Sequence, residues 1–271
     1  MRTGSMIIPK KSLGQNFLHD DNIARNIVQS LELQSSDHVI EIGPGKGALT
    51  KLLVQKTPNL LAIELDTRAV GLLQETFGNS LELLQSDVLT VSLSRLAEQH
   101  GARFKVVGNI PYYITSDILF WLLDQHEAVL EATLMVQLEV AQRFVAGPRT
   151  KEYGILSIFS QHYAEPRLLF KVSRNSFYPI PNVDSAVVRF VFKRELPVCD
   201  DLLFRNIVRA TFGKRRKTLR NGLKYMGFTD DQLRSTGFDL TRRAEELSPQ
   251  DYVALSLELQ QFKERVTLAF S

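Results

Sequence analysis

The sequence predicts an α/β chain with a mostly parallel sheet and an antiparallel edge strand, followed by a small C-terminal helical domain. Three observations predict it. Short apolar runs alternate with helical patterns over the first two thirds of the chain. A glycine-rich turn joins one of the first strands to its helix. After Phe192 the strand patterns stop and helical ones take over. Strands alternating with helices imply right-handed βαβ units with both sheet faces covered.

The elements follow in order. "HVIEIG" (38–43), "NLLAIELD" (59–66), "LELLQSDV" (81–88), "FKVVGN" (104–109) and "ATLMVQ" (132–137) read as strands, being short, apolar and rich in β-branched residues. Between them "GALTKLLVQK", "RAVGLLQETF" and "ITSDILFWLLDQ" read as helices. "RLLFKVS" and "SAVVRFVFK" flank a proline-rich loop with no helical pattern between them, which fits an antiparallel pair at the sheet edge. Beyond lie "DLLFRNIVRATF", "TLRNGLKYMG", "TDDQLRSTG" and "SPQDYVALSLELQQFKERVTLAF", all helical in pattern. Ser248-Pro249 is a clean helix start, and Gly222, Gly227 and Gly237 read as helix breakers. The division falls into residues 1–195, an α/β domain, and 196–271, a helical domain.

Bulk properties narrow the class. No run approaches 18 apolar residues and the N-terminus has no apolar signal core, so no membrane association is expected. The single cysteine, Cys199, excludes an internal disulfide framework and fits a reducing cytoplasm. Net charge is +3, but its distribution is uneven. Residues 193–271 carry 15 Lys/Arg against 11 Asp/Glu. The excess is densest in "GKRRKTLRNGLK" (213–224), with six cations and no acid, a composition suited to phosphate neutralisation.

"VIEIGPGKGALT" carries the first chemistry. Gly43, Gly45 and Gly47 follow a strand and open a helix, so the backbone can turn sharply and a ligand can approach it. Glu64 ends the next strand, where a carboxylate can accept from two ribose hydroxyls. Asp87 ends the third, where it can meet an adenine amino group. The spacing G-x-G-x-G differs from the G-x-G-x-x-G of dinucleotide sites, and Glu41 lies two places before the first glycine. S-adenosylmethionine suits this better, because it has no pyrophosphate and its cationic sulfonium gains from a nearby carboxylate. No metal is expected.

"NIPYYIT" ends the fourth strand on the same edge. The exocyclic amine of a base is a poor nucleophile, since its lone pair is delocalised into the ring. Acceptors that hold the NH2 localise that pair and aim it. Asn109 offers a side-chain carbonyl and Ile110 a backbone carbonyl, Pro111 fixes the aim, and Tyr112 offers a stacking face. In "SFYPIPNVDSAV", Phe177 could supply the opposing face around a splayed base. Tyr113 has no role here beyond packing.

With these residues in hand, the chain resembles the small-subunit ribosomal RNA adenine dimethyltransferase family, of the kasugamycin-sensitivity type. "KKSLGQNFLHD", "EIGPGKGALT", "IELD", "SDVL", "GNIPYYITS", "MVQLEVAQRFVA", "YGILS", "FYPIPNVDSAVV" and "GKRRKTLRN" resemble its motifs in order. The resemblance implies a class I, Rossmann-like methyltransferase fold. It implies methylation of two adjacent adenosines in the 3′-terminal hairpin of small-subunit rRNA to N6,N6-dimethyladenosine, within an assembling subunit. It places cofactor contacts on Asn16, Leu18, Gly43, Glu64, Asp87 and Asn109, and acceptor contacts on Asn109, Ile110, Pro111, Tyr112 and Phe177. RNA contacts are expected at Lys214, Arg215, Arg216, Lys217 and Arg220, from a monomeric, cytoplasmic protein. Two other readings stand beside it. Asn/Asp-Pro-Tyr loops also serve enzymes acting on DNA adenine, large-subunit rRNA or a protein glutamine amide. The basic stretch also suits an assembly factor whose catalysis is secondary.

Overall fold

The computed structural model describes residues 9–10, 14–214 and 217–262. The chain divides into two compact units, one of residues 1–141 with 165–192, the other of 142–164 with 193–271. No helix among the described residues is long and apolar enough to cross a membrane.

The first unit is built on a seven-stranded sheet. In chain order its elements are β1 (Phe17–Leu18), α1 (Asp21–Ser30), β2 (His38–Ile42), α2 (Thr50–Leu53), β3 (Leu60–Glu64), α3 (Thr67–Phe77), β4 (Glu82–Gln85), α4 (Leu93–His100), β5 (Phe104–Asn109), α5 (Thr115–Asp124) and β6 (Val129–Gln137). After α6 (Leu138–Val145) and α7 (Ile155–Tyr163) come β7 (Ala164–Val172), β8 (Phe177–Tyr178) and β9 (Ser185–Phe192). The sheet order is β4-β3-β2-β5-β6-β9-β7. The strands from β4 to β6 are parallel, and β9 runs antiparallel to β6. The expected parallel sheet with an antiparallel member is therefore present. Central strands bury both faces, so Val39, Ile40, Val106 and Val107 are fully enclosed, as continuous apolar runs require.

Two elements were not legible in advance. β1 and β8, two residues each, form a separate antiparallel ribbon with Phe17 opposite Tyr178 and Leu18 opposite Phe177. Such short pairings leave no periodicity to read. The helix expected over "GALTKLLVQK" shortens to α2, because Gly43, Gly45 and Gly47 all take positive φ and hold the chain in turns until Thr50. Helix starts follow their caps. Asp20 accepts from the amides of Asn22 and Ile23, and Asp66 accepts from Arg68 at the head of α3.

The second unit holds α7, then α8 (Asp201–Phe212), α9 (Leu219–Tyr225), α10 (Asp230–Arg234) and α11 (Pro249–Gln260). α11 starts where the Ser-Pro pair predicts, with a reciprocal capping box between Ser248 and Asp251. Gly227, at φ 98°, follows the end of α9 as expected of a terminating glycine. Gly222 corrects the sequence reading. It lies inside α9, and a Cβ there would sit 2.9 Å from the Thr211 Cα of α8. The residue permits close helix packing and breaks nothing.

Candidate active site

Because β2, β3, β4 and β5 are parallel, their carboxyl ends share one edge of the sheet. A solvent-open cleft of about 1080 Å³ lies at that edge. Asn16, Leu18, Gly43, Glu64, Asp87, Asn109, Ile110, Pro111 and Tyr112 all line it. Residues dispersed over nearly a hundred positions of sequence thus converge on one cavity.

The glycine loop forms its floor. Gly43 has φ 62° and is anchored by its amide to the Ile63 carbonyl at 2.9 Å. A Cβ on Gly43 would meet nothing within 4 Å, so the backbone there faces open space that a ligand can fill. At Gly108 the reason for glycine is different and was missed in the sequence. A Cβ would lie 2.8 Å from the Ile42 carbonyl, so only glycine lets β5 run beside the end of β2.

Two carboxylates near the loop differ in kind. Glu64 is held by three backbone amides: Gly45 at 3.0 Å, and Leu65 and Asp66 at 2.8 Å each. Oε1 takes the two amides of Leu65 and Asp66 and Oε2 takes Gly45, so Oε2 keeps a lone-pair site for a hydroxyl donor. Glu41 is buried and accepts from the Thr50 hydroxyl at 2.7 Å, with the Thr50 backbone amide as a weaker second donor. Burial pushes its carboxyl up to about 8, and the neighbouring Glu64 pushes the same way, against the pull of that hydroxyl. Asp87 is exposed at the cleft and uses one oxygen to cap Leu89 at 3.0 Å.

The residues expected to hold the acceptor have an equally defined geometry. Asn109 ends β5 and its amide nitrogen donates to the Asn16 carbonyl at 2.9 Å. Its Oδ1 accepts no hydrogen bond among the described residues. The Ile110 amide donates to Met135 at 3.1 Å, which fixes the Ile110 peptide, while its carbonyl is likewise uncommitted among the described residues. Pro111, at φ −56°, leads into a turn that carries Tyr112. The Tyr112 hydroxyl meets Ser185 at 2.7 Å, which pins the ring from β9, and burial raises the phenol's pKa.

The structure does not bring Phe177 to the cleft. Its ring is 1% exposed and packs in the core with Leu18, while its neighbour Tyr178 is 63% exposed. In the β1–β8 ribbon Leu18 and Phe177 share one face and Phe17 and Tyr178 the other, and on the first face the Phe177 side chain is taken up by the core. Among the expected RNA contacts, Lys214 and Lys217 are exposed, and Lys214 lies 4.7 Å above the Tyr225 ring. Arg220 is paired with Asp230 at 3.3 Å, so the fold brings an acid to a stretch that has none in sequence. Arg215 and Arg216 lie outside the described residues.

This geometry meets its relatives in sequence. The pattern described as "Ribosomal RNA adenine dimethylase" matches residues 8–261. The chain belongs to the ribosomal RNA adenine dimethylase family. Similar members include the ribosomal RNA small subunit methyltransferase A of Chlorobium phaeobacteroides (strain BS1), 46% identical over 93% of this chain and 94% of that protein. The protein of that name from Moorella thermoacetica is 40% identical over 94% of this chain and 93% of its own length. Among solved structures, a dimethyladenosine transferase from Plasmodium falciparum superposes with TM-score 0.77 at 25% identity, covering 92% of this chain and 99% of that one. The 23S rRNA methyltransferase ErmE gives 0.67 at 28% identity, covering 91% and 100%. The family thus shares the class I methyltransferase sheet described above and uses S-adenosylmethionine. The cleft fits that cofactor through its open glycine floor and the carboxylates of Glu64 and Asp87.

Proposed function

We propose that this chain transfers methyl groups from S-adenosylmethionine to the N6 amines of two adjacent adenosines in the 3′-terminal hairpin of small-subunit rRNA, yielding N6,N6-dimethyladenosine. The observation that carries this is the pair of uncommitted acceptors, Asn109 Oδ1 and the Ile110 carbonyl, at the same cleft as the glycine loop. S-adenosylmethionine supplies an electrophilic methyl on a sulfonium. Glu64 would hold its ribose and Asp87 its adenine amine, with Asn16, Leu18 and Gly43 completing the contacts.

The chain's own work is to hold the acceptor. In the first transfer two carbonyl oxygens accept from the two N–H bonds of the adenosine amine, and in the second one of them accepts from the single N–H that remains, each time drawing the lone pair out of conjugation and toward the methyl. Tyr112, fixed by Ser185, offers a stacking face for the base. The product aminium is strongly acidic and sheds its proton without a dedicated strong base. A base-stacking role for Phe177 requires its ring to leave the core as the base enters.

Residues 196–271 are proposed to recognise the RNA. Exposed Lys214 and Lys217, with Arg215, Arg216 and Arg220, would neutralise phosphates in an assembling small subunit. On this reading the protein acts as a monomer in the cytoplasm, where subunits are assembled. The test is Asn109→Ala, assayed on small subunits that lack dimethyladenosine. Methyl incorporation should fall by about 10²–10³-fold while cofactor binding weakens but stays measurable. Undiminished turnover would remove Asn109 from the chemistry. Methyl groups appearing on large-subunit RNA or DNA instead would redirect the substrate.

A further inference from the structure

A carboxamide presents two faces, and only one of them suits the proposed chemistry. If Asn109 turned its NH2 toward the acceptor amine, donor would face donor, and no lone pair would be localised. Something must therefore hold the amide in the productive sense. The Asn16 carbonyl is an acceptor only. At 2.9 Å it requires the Asn109 nitrogen opposite it, which leaves Oδ1 as the free atom. That carbonyl belongs to the chain at Gly14–Leu18, a strap 93 residues away in sequence.

The strap is pinned at several points. The Gln15 side chain donates to Asp66 at 3.2 Å, beyond the end of β3. Asn16 turns back to the Gly14 carbonyl at 3.3 Å. The Phe17 ring packs on Gly45, where a Cβ would lie 3.0 Å from it, and Lys46 Nζ lies 4.7 Å from the centroid of the same ring. The point nearest the acceptor side is Tyr113. Its ring lies so close to Gly14 that a Cβ there would be 2.8 Å from Cδ1, and Gly14 holds φ 56°. Tyr113 is 59% exposed, and among the described residues no hydrogen bond of its hydroxyl explains a tyrosine at that place. The ring's contact with the strap does.

We propose that the Gly14–Leu18 strap, seated against Tyr113, is the positioning device that sets the Asn109 carboxamide with its oxygen toward the acceptor amine. The same strap lines the cofactor cleft. Seating it over the cofactor and arming the acceptor amide are then one event, and an enzyme without the strap in place has no productive grip on the base. Tyr113 and Asn16 are positioning residues, acting through Asn109. This rests on the reading of Asn109 as the acceptor-side amide.

The test compares Tyr113→Ala with Tyr113→Phe, which keeps the ring and loses only the hydroxyl. With cofactor and small subunits both saturating, single-turnover methyl transfer should fall about tenfold in Tyr113→Ala and stay near wild type in Tyr113→Phe. The second readout needs no RNA. In ¹⁵N-labelled protein with S-adenosylhomocysteine, the Asn109 side-chain NH2 pair is assigned by its loss in Asn109→Ala. That pair should be shifted and protected from exchange in wild type and Tyr113→Phe, and move to a solvent-like position in Tyr113→Ala. An unchanged saturated rate, with only cofactor affinity lowered, overturns the proposal, as does an unmoved NH2 pair. If the wild-type chain methylates no small-subunit RNA, the proposed substrate falls, and the NH2 comparison alone decides the positioning.

Discussion

Glu41→Gln is the perturbation with the most direct physical consequence. Glu41 is enclosed in β2, with the hydroxyl and backbone amide of Thr50 as its donors and a second carboxylate, Glu64, nearby. An ordinary carboxyl titrates near 4.5, and this one near 8. Between those values the folded chain holds a proton that the unfolded chain has lost. The folded form binds more protons, so stability falls as pH rises. The stabilisation is complete below about 4.5 and is lost as pH climbs through about 8. The slope within the window is about 1.4 kcal/mol per pH unit, which gives about 3–4 kcal/mol between pH 5 and pH 8. Glutamine is isosteric, keeps an oxygen for the Thr50 hydroxyl and does not titrate. Guanidinium unfolding of both proteins from pH 5 to pH 8, read by fluorescence, gives the difference. The one tryptophan, Trp121, is buried in α5 of the first unit and reports that unit. Wild type should lose its advantage over Glu41→Gln, or trail it, as pH rises. Parallel stability curves would show that Glu41 is ionised throughout, and the account of its burial would fail.

Two further outcomes follow from the second unit. Gly222→Ala puts a methyl 2.9 Å from the Thr211 backbone, which cannot yield as a side chain can. A loss of about 1–3 kcal/mol is expected in thermal or denaturant unfolding of the full chain, and a neutral variant would mean that α8 and α9 separate freely. Reversing Lys214 and Lys217 to Glu should weaken binding to small-subunit RNA, more at low salt than at high, and should flatten the slope of log affinity against log salt. Equal binding across the titration would take both residues out of the RNA contact.

The sheet was legible because its signal is repeated and local. Each strand from β2 to β6 is an apolar run followed by a turn and a helical pattern, and the parallel arrangement follows from that alternation alone. Gly43, Glu64, Asp87 and Asn109 were legible for the same reason. They sit at strand ends, and parallel strands end on one edge. Phe177 shows where this reasoning stops. It follows a strand, as the others do, but it belongs to a two-residue ribbon whose partner is 159 positions away at Leu18. Which of Phe177 and Tyr178 faces out depends on a register that the sequence does not carry, since a slip of one residue exchanges them. Glu41 was legible as an acid near the ligand and illegible as a protonated one. Its burial is a property of the folded β2 and of Thr50, and a carboxylate letter carries neither.

The strap is the sharper case. Gln15 and Asn16 look like loop polars, and only the family resemblance marked them. The contacts that tie the strap to the site are made at long range: Gln15 to Asp66, the Asn16 carbonyl to Asn109, Gly14 against Tyr113. On the proposed function the strap is also where the two halves of the chemistry meet: the glycine loop and Glu64 serve the cofactor, while Ile110 and Tyr112 serve the acceptor. Asn109 belongs to both, with its nitrogen given to the strap and its oxygen free. A residue that serves two partners with two different atoms cannot be replaced by aspartate without losing the donor, or by alanine without losing both. On the proposed function that constraint, more than helix or strand preference, is the reason an apolar strand ends here on an amide.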